Sequence, residues 1–399
     1  MSVVRSQQQV CLGLLRQLRT YWRRDAALPA RLQRLLAAER RFGARDRRLY
    51  RELLYTALRY LPWIEPGLDS DPERAVRLIA WLAAETPATR DFRAELRGDW
   101  PDAGSLAARA EFLGLHAADL LPAWLREECP AAFSPAELEA QLARAPLWLR
   151  LQTDEPAAVA AEFASLGWPT APAAVLPTAW RVLAEADVTR SAAFAAGRIE
   201  VQDLGSQLVL ASAAPAAGEA WLDACAGAGG KTLQLARLLG PAGTVDAHDI
   251  RPTALAELRQ RADRAGLRTI RTVAAPAAGA YAGVLVDAPC SGSGTWRRSP
   301  HLKWVTTPAT LTERAQRQQE LLGRFAAAVR PGGRLVYATC SLCRRENAAV
   351  VAAFLAAQPD FAPEPPAHTF GFAPADGGLT ILPARHDTDG FFVATLRRR

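Results

Sequence analysis

The stretch Leu222-Asp223-Ala224-Cys225-Ala226-Gly227-Ala228-Gly229-Gly230-Lys231-Thr232 decides how this chain folds. Residues 220–224 read as an apolar strand, the glycines as a tight turn, and the residues from Lys231 onward as the start of a helix. Glycines at such a turn let the backbone approach a ligand closely, and the helix that follows offers unpaired N–H groups. Spacing excludes two common phosphate loops. A nucleotide P-loop requires glycine five positions before Gly230, where Cys225 stands, and a dinucleotide fingerprint requires glycine three after Gly229, where Thr232 stands.

A second strand, residues 244–249, closes on Asp249, whose carboxylate can accept hydrogen bonds from both hydroxyls of a ribose. A glycine-rich turn after the first strand and an acid closing the second indicate an adenosine-containing cofactor without a pyrophosphate, and S-adenosylmethionine fits. The expected binding residues are Cys225, Ala226, Gly227, Ala228, Gly229, Gly230, Lys231, Asp249 and Asp287. Further strands at 269–273, 283–287 and 334–338, with a helix at 309–329, predict an α/β domain over 202–399: a mostly parallel sheet with helices on both faces. Residues 379–382 and 391–394 read as an antiparallel pair at one edge of that sheet.

Upstream the pattern differs. Residues 1–143 read as helices, with Leu49, Leu53, Leu54, Ala57, Leu58 and Leu61 at helical spacing and Pro62 ending the stripe. Arg45, Arg47, Arg48, Arg51 and Arg59 dominate the other face, as an RNA-contacting surface or an ordinary solvated one. Residues 144–201 form a small mixed α/β segment, with strands at 147–151 and 199–201 and a helix at 156–166.

With 399 residues, half of them hydrophobic, the chain can bury a large core and divide into more than one domain. Its apolar runs fall far short of the ~20 residues needed to cross a bilayer, and Met1-Ser2-Val3-Val4-Arg5-Ser6-Gln7 lacks the pattern of a secretory leader. The reading is a cytoplasmic monomer without a membrane partner. Six unevenly spaced cysteines make no disulfide framework, and Cys340-x-x-Cys343 lacks the further ligands a metal site needs. The formal net charge is +7, and Lys231 and Lys303 are the only lysines, so 46 of 48 cationic residues (48 minus 2) are arginine. Guanidinium groups bind phosphate bidentately and stack on bases, which suits RNA.

The fourth strand runs into Val286-Asp287-Ala288-Pro289-Cys290-Ser291-Gly292-Ser293-Gly294, and the fifth into Tyr337-Ala338-Thr339-Cys340-Ser341. Both cysteines therefore stand just past the carboxyl ends of neighbouring strands, where open α/β sheets bind ligands. These strings, with Arg297-Arg298, Lys303-Trp304, Glu346-Asn347, Val201-Gln202-Asp203-Leu204-Gly205-Ser206-Gln207 and Thr388-Asp389-Gly390-Phe391-Phe392, resemble the RsmB/Nop/Sun family of RNA cytosine-C5 methyltransferases. The helical front and residues 146–151 resemble the bacterial RsmB arrangement of a NusB-like helical domain followed by a small RNA-binding domain.

The resemblance implies a Rossmann-like methyltransferase domain that uses S-adenosylmethionine. The substrate it implies is RNA: small-subunit rRNA ahead of tRNA, since the NusB-like front favours rRNA. It also implies that Cys340 is the nucleophile, that Cys290 assists elimination, and that Asp287 holds the base near N3 and the exocyclic amine. Two cysteines suit this chemistry. C5 of cytosine is a poor nucleophile until a thiolate adds at C6, and that thiolate must afterwards be expelled. Cys340 then needs local positive charge, for which Lys231 and Lys303 are the candidates. Arg297, Arg298 and Lys303 are the expected RNA contacts, with Trp296 for stacking, and Lys303→Arg is expected to impair turnover with the fold intact.

Three departures stand out. Val273-Ala274-Ala275-Pro276-Ala277-Ala278-Gly279 offers no acid after strand three where the family contacts adenine, His301 replaces a common Asp, and Ala226-Gly227-Ala228 replaces Ala-Ala-Pro. The first of these leaves a non-catalytic RNA-binding or ribosome-assembly factor on the same fold as the alternative.

Overall fold

A computed structural model describes residues 2–399, which fall into two compact units: residues 2–144 with 295–308, and residues 145–294 with 309–399. The first is helical. Its longer helices are Val3–Arg19, Leu28–Ala38, Ala44–Arg59 and Pro72–Leu82. Each turns leucines inward, and Ser2 and Asp71 cap two of them by accepting from the backbone N–H three residues on. The predicted stripe ends slightly early: the helix stops at Arg59, and Pro62 falls in the first turn of a new short helix, Leu61–Ile64, where its missing N–H costs nothing.

The second unit holds two sheets. The smaller comprises β1 (Leu147–Leu151), β2 (Thr170–Ala173), β3 (Leu176–Val182) and β4 (Ile199–Val201) in the antiparallel order β2-β3-β1-β4. The helix Pro156–Ser165 supplies Val159 and Phe163 to its core.

The larger sheet contains β5 (Ala220–Asp223), β6 (Thr244–Ala247), β7 (Ile270–Thr272), β8 (Tyr281–Asp287), β9 (Val329–Thr339), β10 (Phe361–Glu364), β11 (Leu379–Ile381) and β12 (Phe391–Arg398). Its order is β10-β12-β9-β8-β5-β6-β7, and β5 to β9 pair in parallel. Successive side chains point to opposite faces. Leu222, Val284, Val286, Leu335 and Tyr337 pack on one side with the helices Pro308–Ala326 and Ala348–Ala357, whereas Trp221, Leu285, Val336 and Ala338 pack on the other with Leu204–Ala213 and Gly230–Leu239.

The expected antiparallel pair exists, since β11 pairs with β12, but β12 is not at an edge: it lies between β9 and β10. Strand order reverses at β5, which has β6 on one side and β8 on the other, so the glycine-rich turn leaves the sheet at its switch point. Among the described residues no helix is long and apolar enough to cross a membrane.

Candidate active site

The turn after β5 begins at Asp223, which is almost fully buried. Thr232 Oγ1 donates to its Oδ2 at 2.7 Å, while Oδ1 is buried and makes no hydrogen bond of ordinary geometry. Burial, helped by the charge of Asp287, pushes the Asp223 carboxyl up to about 7. Burial likewise pushes the Cys225 thiol up to about 12, so this cysteine keeps its proton. Gly227 has φ 53°, a left-handed conformation suited to glycine, and its N–H donates to Asp249 Oδ2 at 2.8 Å. Hydrogen bonds from the Arg251 side chain, with backbone donors at Arg251 and Gly227, hold Asp249 down at about 2. Asp249 is thus an ionised acceptor beside the loop. The expected cofactor residues from Cys225 to Lys231 share one turn and helix start, with Asp249 bonded to it.

Lys231 links this turn to the next strand. Its Nζ donates to Asp287 Oδ2 at 2.8 Å and stands 5.2 Å from the centre of the Phe391 ring. Burial works against the Lys231 ammonium, but Asp287, Cys340 and Asp223 together outweigh it and raise its pKa. A fixed positive charge therefore lies in the electrostatic reach of Cys340.

Three residues past Asp287, Cys290 meets Cys340: the two sulfurs are 3.4 Å apart. The hydrogen bond to Cys340, then burial, raises the Cys290 thiol well above its usual value. The backbone fixes this approach. Gly294 N donates to Cys340 O at 2.9 Å, and Gly390 N donates to Gly294 O at 2.8 Å. A Cβ on Gly294 would sit 2.1 Å from Gly390 O, so only glycine allows the crossing. The upstream and C-terminal motifs also meet, since Thr388 Oγ1 donates to Asp203 Oδ1 at 2.6 Å.

Residues 210–397 match the family described as 16S rRNA methyltransferase RsmB/F. Ribosomal RNA small subunit methyltransferase B of Vibrio cholerae is 35% identical over 292 residues, 70% of this chain and 65% of that protein. The enzyme of the same name from Klebsiella pneumoniae is 35% identical over 309 residues, 73% of this chain and 69% of its own length. This chain belongs to the RsmB/F family. It spans about two thirds of the length of these relatives. The crystal structure of NSun6 from Pyrococcus horikoshii with SFG shares the fold, with TM-score 0.60 at 19% identity over 69% of this chain and 98% of that one.

The residues that carry the RsmB/F resemblance do not all converge. Cys225, Lys231, Asp249, Asp287, Cys290 and Cys340 lie in the second unit, at the carboxyl ends of β5, β6, β8 and β9. Arg297 and Lys303, expected to contact RNA, belong to the helical unit and are only 2% exposed. Lys303 Nζ donates to the carbonyls of Arg59 at 2.9 Å and Leu120 at 3.0 Å, and burial lowers its pKa far below the usual lysine value. Arg297 Nη2 donates to Arg144 O at 3.2 Å. Trp296 is 1% exposed and packs edge-on against Trp124, so it offers no stacking platform. His301 is buried as well and contacts Ala26 O. Only Arg298 of that group presents an exposed side chain. Charge on a loop is a poor guide to exposure when the loop is itself an insertion into another unit. Of the two lysines, Lys231 is the one within the electrostatic reach of Cys340.

The sequence assigns no role to Glu346 and Asn347. Both are buried, and both bond to the loops that carry the cysteines. The signal was their position, five and six residues beyond Ser341.

Proposed function

We propose that this protein transfers a methyl group from S-adenosylmethionine to C5 of a cytosine in small-subunit rRNA, through a covalent bond between Cys340 and C6. The observation that carries this reading is the 3.4 Å approach of the two sulfurs beside a Lys231–Asp287 pair, at the switch point of a parallel sheet. The names of the V. cholerae and K. pneumoniae relatives support rRNA as the substrate class.

The site fits the cofactor. Asp249 is an ionised acceptor at a strand end, the N-terminus of helix Gly230–Leu239 faces the same turn, and the buried Asp223 Oδ1 accepts no hydrogen bond of ordinary geometry. Asp249 would hold the ribose in place of Arg251, and Asp223 would take the amino group of the methionine portion. When bound, S-adenosylmethionine supplies an electrophilic methyl group.

The chain's own residues do the remaining work. Lys231 favours the thiolate of Cys340 electrostatically. Addition of that sulfur to C6 makes C5 nucleophilic. Asp287, at the end of β8 and fixed by Lys231, is placed to hold the base by its polar edge. Release requires transfer of the C5 proton to a water molecule acting as base, with the C5–H electron pair re-forming the C5–C6 double bond as the S–C6 bond breaks and Cys340 returns as thiolate. Cys290, whose sulfur lies 3.4 Å from that of Cys340, would hydrogen-bond the departing sulfur. The base must be unpaired or flipped to reach the site. The enzyme acts in the cytoplasm as a monomer.

Covalent trapping tests this reading. With small-subunit rRNA and S-adenosylmethionine, Cys290→Ala is expected to accumulate a protein–RNA adduct that survives denaturation, and Cys340→Ala to form none. Adduct formation with Cys340→Ala but not with Cys290→Ala would exchange the two roles, and modification of tRNA alone would move the substrate.

A further inference from the structure

Glu346 is fully buried in the second unit, and its carboxyl group spans both cysteine loops. Oε1 accepts from the backbone N–H of Ser291 at 2.8 Å and from Gln318 Nε2 at 3.2 Å. Oε2 accepts from Ser291 Oγ at 2.5 Å and from Ser341 Oγ at 2.6 Å. Ser291 is the residue after Cys290, and Ser341 is the residue after Cys340.

The surrounding bonds extend the tie. Gln318 Nε2 also donates to Pro289 O at 3.0 Å, so both neighbours of Cys290 are held. On the other loop Thr339 Oγ1 donates to Asn347 Oδ1 at 2.6 Å and Asn347 Nδ2 to Ser341 O at 2.8 Å, which holds both neighbours of Cys340. Tyr337 OH donates to Glu346 O at 2.5 Å and anchors the segment to β9. Ser293 Oγ lies 3.0 Å from Ser341 Oγ and accepts from Leu342 N at 2.8 Å.

These donors to Glu346 are all neutral. A carboxyl group buried among neutral donors depends on a full set of hydrogen bonds, and an apolar residue of similar size is usually the cheaper way to fill a core. A carboxyl group can do what an apolar side chain cannot: its two oxygens bind two separate loops at a fixed spacing.

We propose that Glu346 is a positioning residue for the cysteine pair, holding the Cys290 and Cys340 loops in one register so that the sulfurs stand close enough to share the proton chemistry. This rests on the proposed function, in which both sulfurs act on one base. A displacement of about 1 Å at a reacting group costs about 100-fold in rate.

Two readouts test it on the full-length chain. The first is oxidation by diamide, which takes one hydrogen from each thiol and leaves a Cys290–Cys340 disulfide, scored by mass spectrometry. The second is methyl transfer to small-subunit rRNA. Glu346→Ala is expected to slow both disulfide formation and kcat by about 100-fold, with the KM for S-adenosylmethionine changed by less than about twofold. Glu346→Gln keeps one acceptor oxygen, and its amide can donate to the serine hydroxyls, so it should restore both rates to within about tenfold of the native protein. Should Glu346→Ala fail to fold, the double variant Ser291→Ala/Ser341→Ala removes the Oε2 side alone and should slow both readouts. Disulfide formation and turnover at native rates in the folded variant would overturn the proposal. A native protein that forms the disulfide but methylates no cytosine refutes the proposed function instead, and the oxidation rates still decide the role of Glu346.

Discussion

Asp223 shows how much a single buried acid matters to this site. Its carboxyl is raised to about 7 by burial and by Asp287, whereas in the unfolded chain it titrates near the ordinary 3.8. The folded state therefore binds the extra proton between those values, and stability falls as pH rises through that window. Asp223→Asn retains an acceptor for Thr232 and carries no charge, so its stability should not fall there. Relative to the native chain it should gain up to about 4 kcal/mol above pH 7 and nothing near pH 4. Urea unfolding at pH 4 and pH 8 checks this; parallel losses in the two proteins would assign the titration to another group. Some of these residue roles were legible in the sequence and some were not. Cys290 and Cys340 could be paired because strand ends in a parallel sheet share an edge. Glu346 could not be, because its partners Ser291 and Gln318 are brought to it only by the packing of the Pro308–Ala326 helix and the β8 loop.

At the scale of elements, the C-terminus of helix Ala44–Arg59 is finished by residues that lie far along the chain. Its last carbonyls would be left without partners inside the helix, but Lys303 Nζ donates to Arg59 O and Trp304 Nε1 to Leu58 O at 2.7 Å. A compact ammonium fits between Arg59 O and Leu120 O, whereas a guanidinium is longer, planar and unable to shed its charge. Lys303→Arg is therefore expected to lower the stability of the helical unit by about 1–3 kcal/mol through overpacking. A thermal melt followed by circular dichroism reads the effect, and an unchanged melt with weakened RNA binding would return Lys303 to a phosphate-contacting role. This replaces the sequence-based expectation of lost turnover in an intact fold. The leucine stripe from Leu49 to Leu61 did reveal the helix, because periodicity is a local property. Its cap was hidden because the donors lie more than 240 positions away. For the same reason β11 and β12 were recognised as a pair, while the insertion of β12 between β9 and β10 was not: pairing partners outside a hairpin leave no mark on local sequence.

For the whole molecule, residues 295–308 are the point where sequence order and spatial order part. They follow the Cys290 loop in the chain, yet they belong to the helical unit. Trp296, Arg297, His301 and Lys303 are all buried there, and His301, Lys303 and Trp304 bond to carbonyls of the helices and turns between residues 26 and 120. A fragment consisting of residues 145–399 would keep both sheets but deprive this segment of every one of those partners. Two tryptophans and the apolar stems around them would then face water, and an exposed apolar patch of that kind promotes aggregation and protease attack. The fragment is expected to be cleaved by a broad-specificity protease within 295–308 well before any site in the larger sheet, while the full chain resists at that position. Replacing residues 295–308 in the fragment by a short glycine–serine linker should remove the cleavage site and the aggregation, because the linker needs no helical partner. Equal protection of the segment in the fragment and in the full chain would mean that it folds on the second unit alone, and the buried lysine would then have to be stabilised by contacts within that unit.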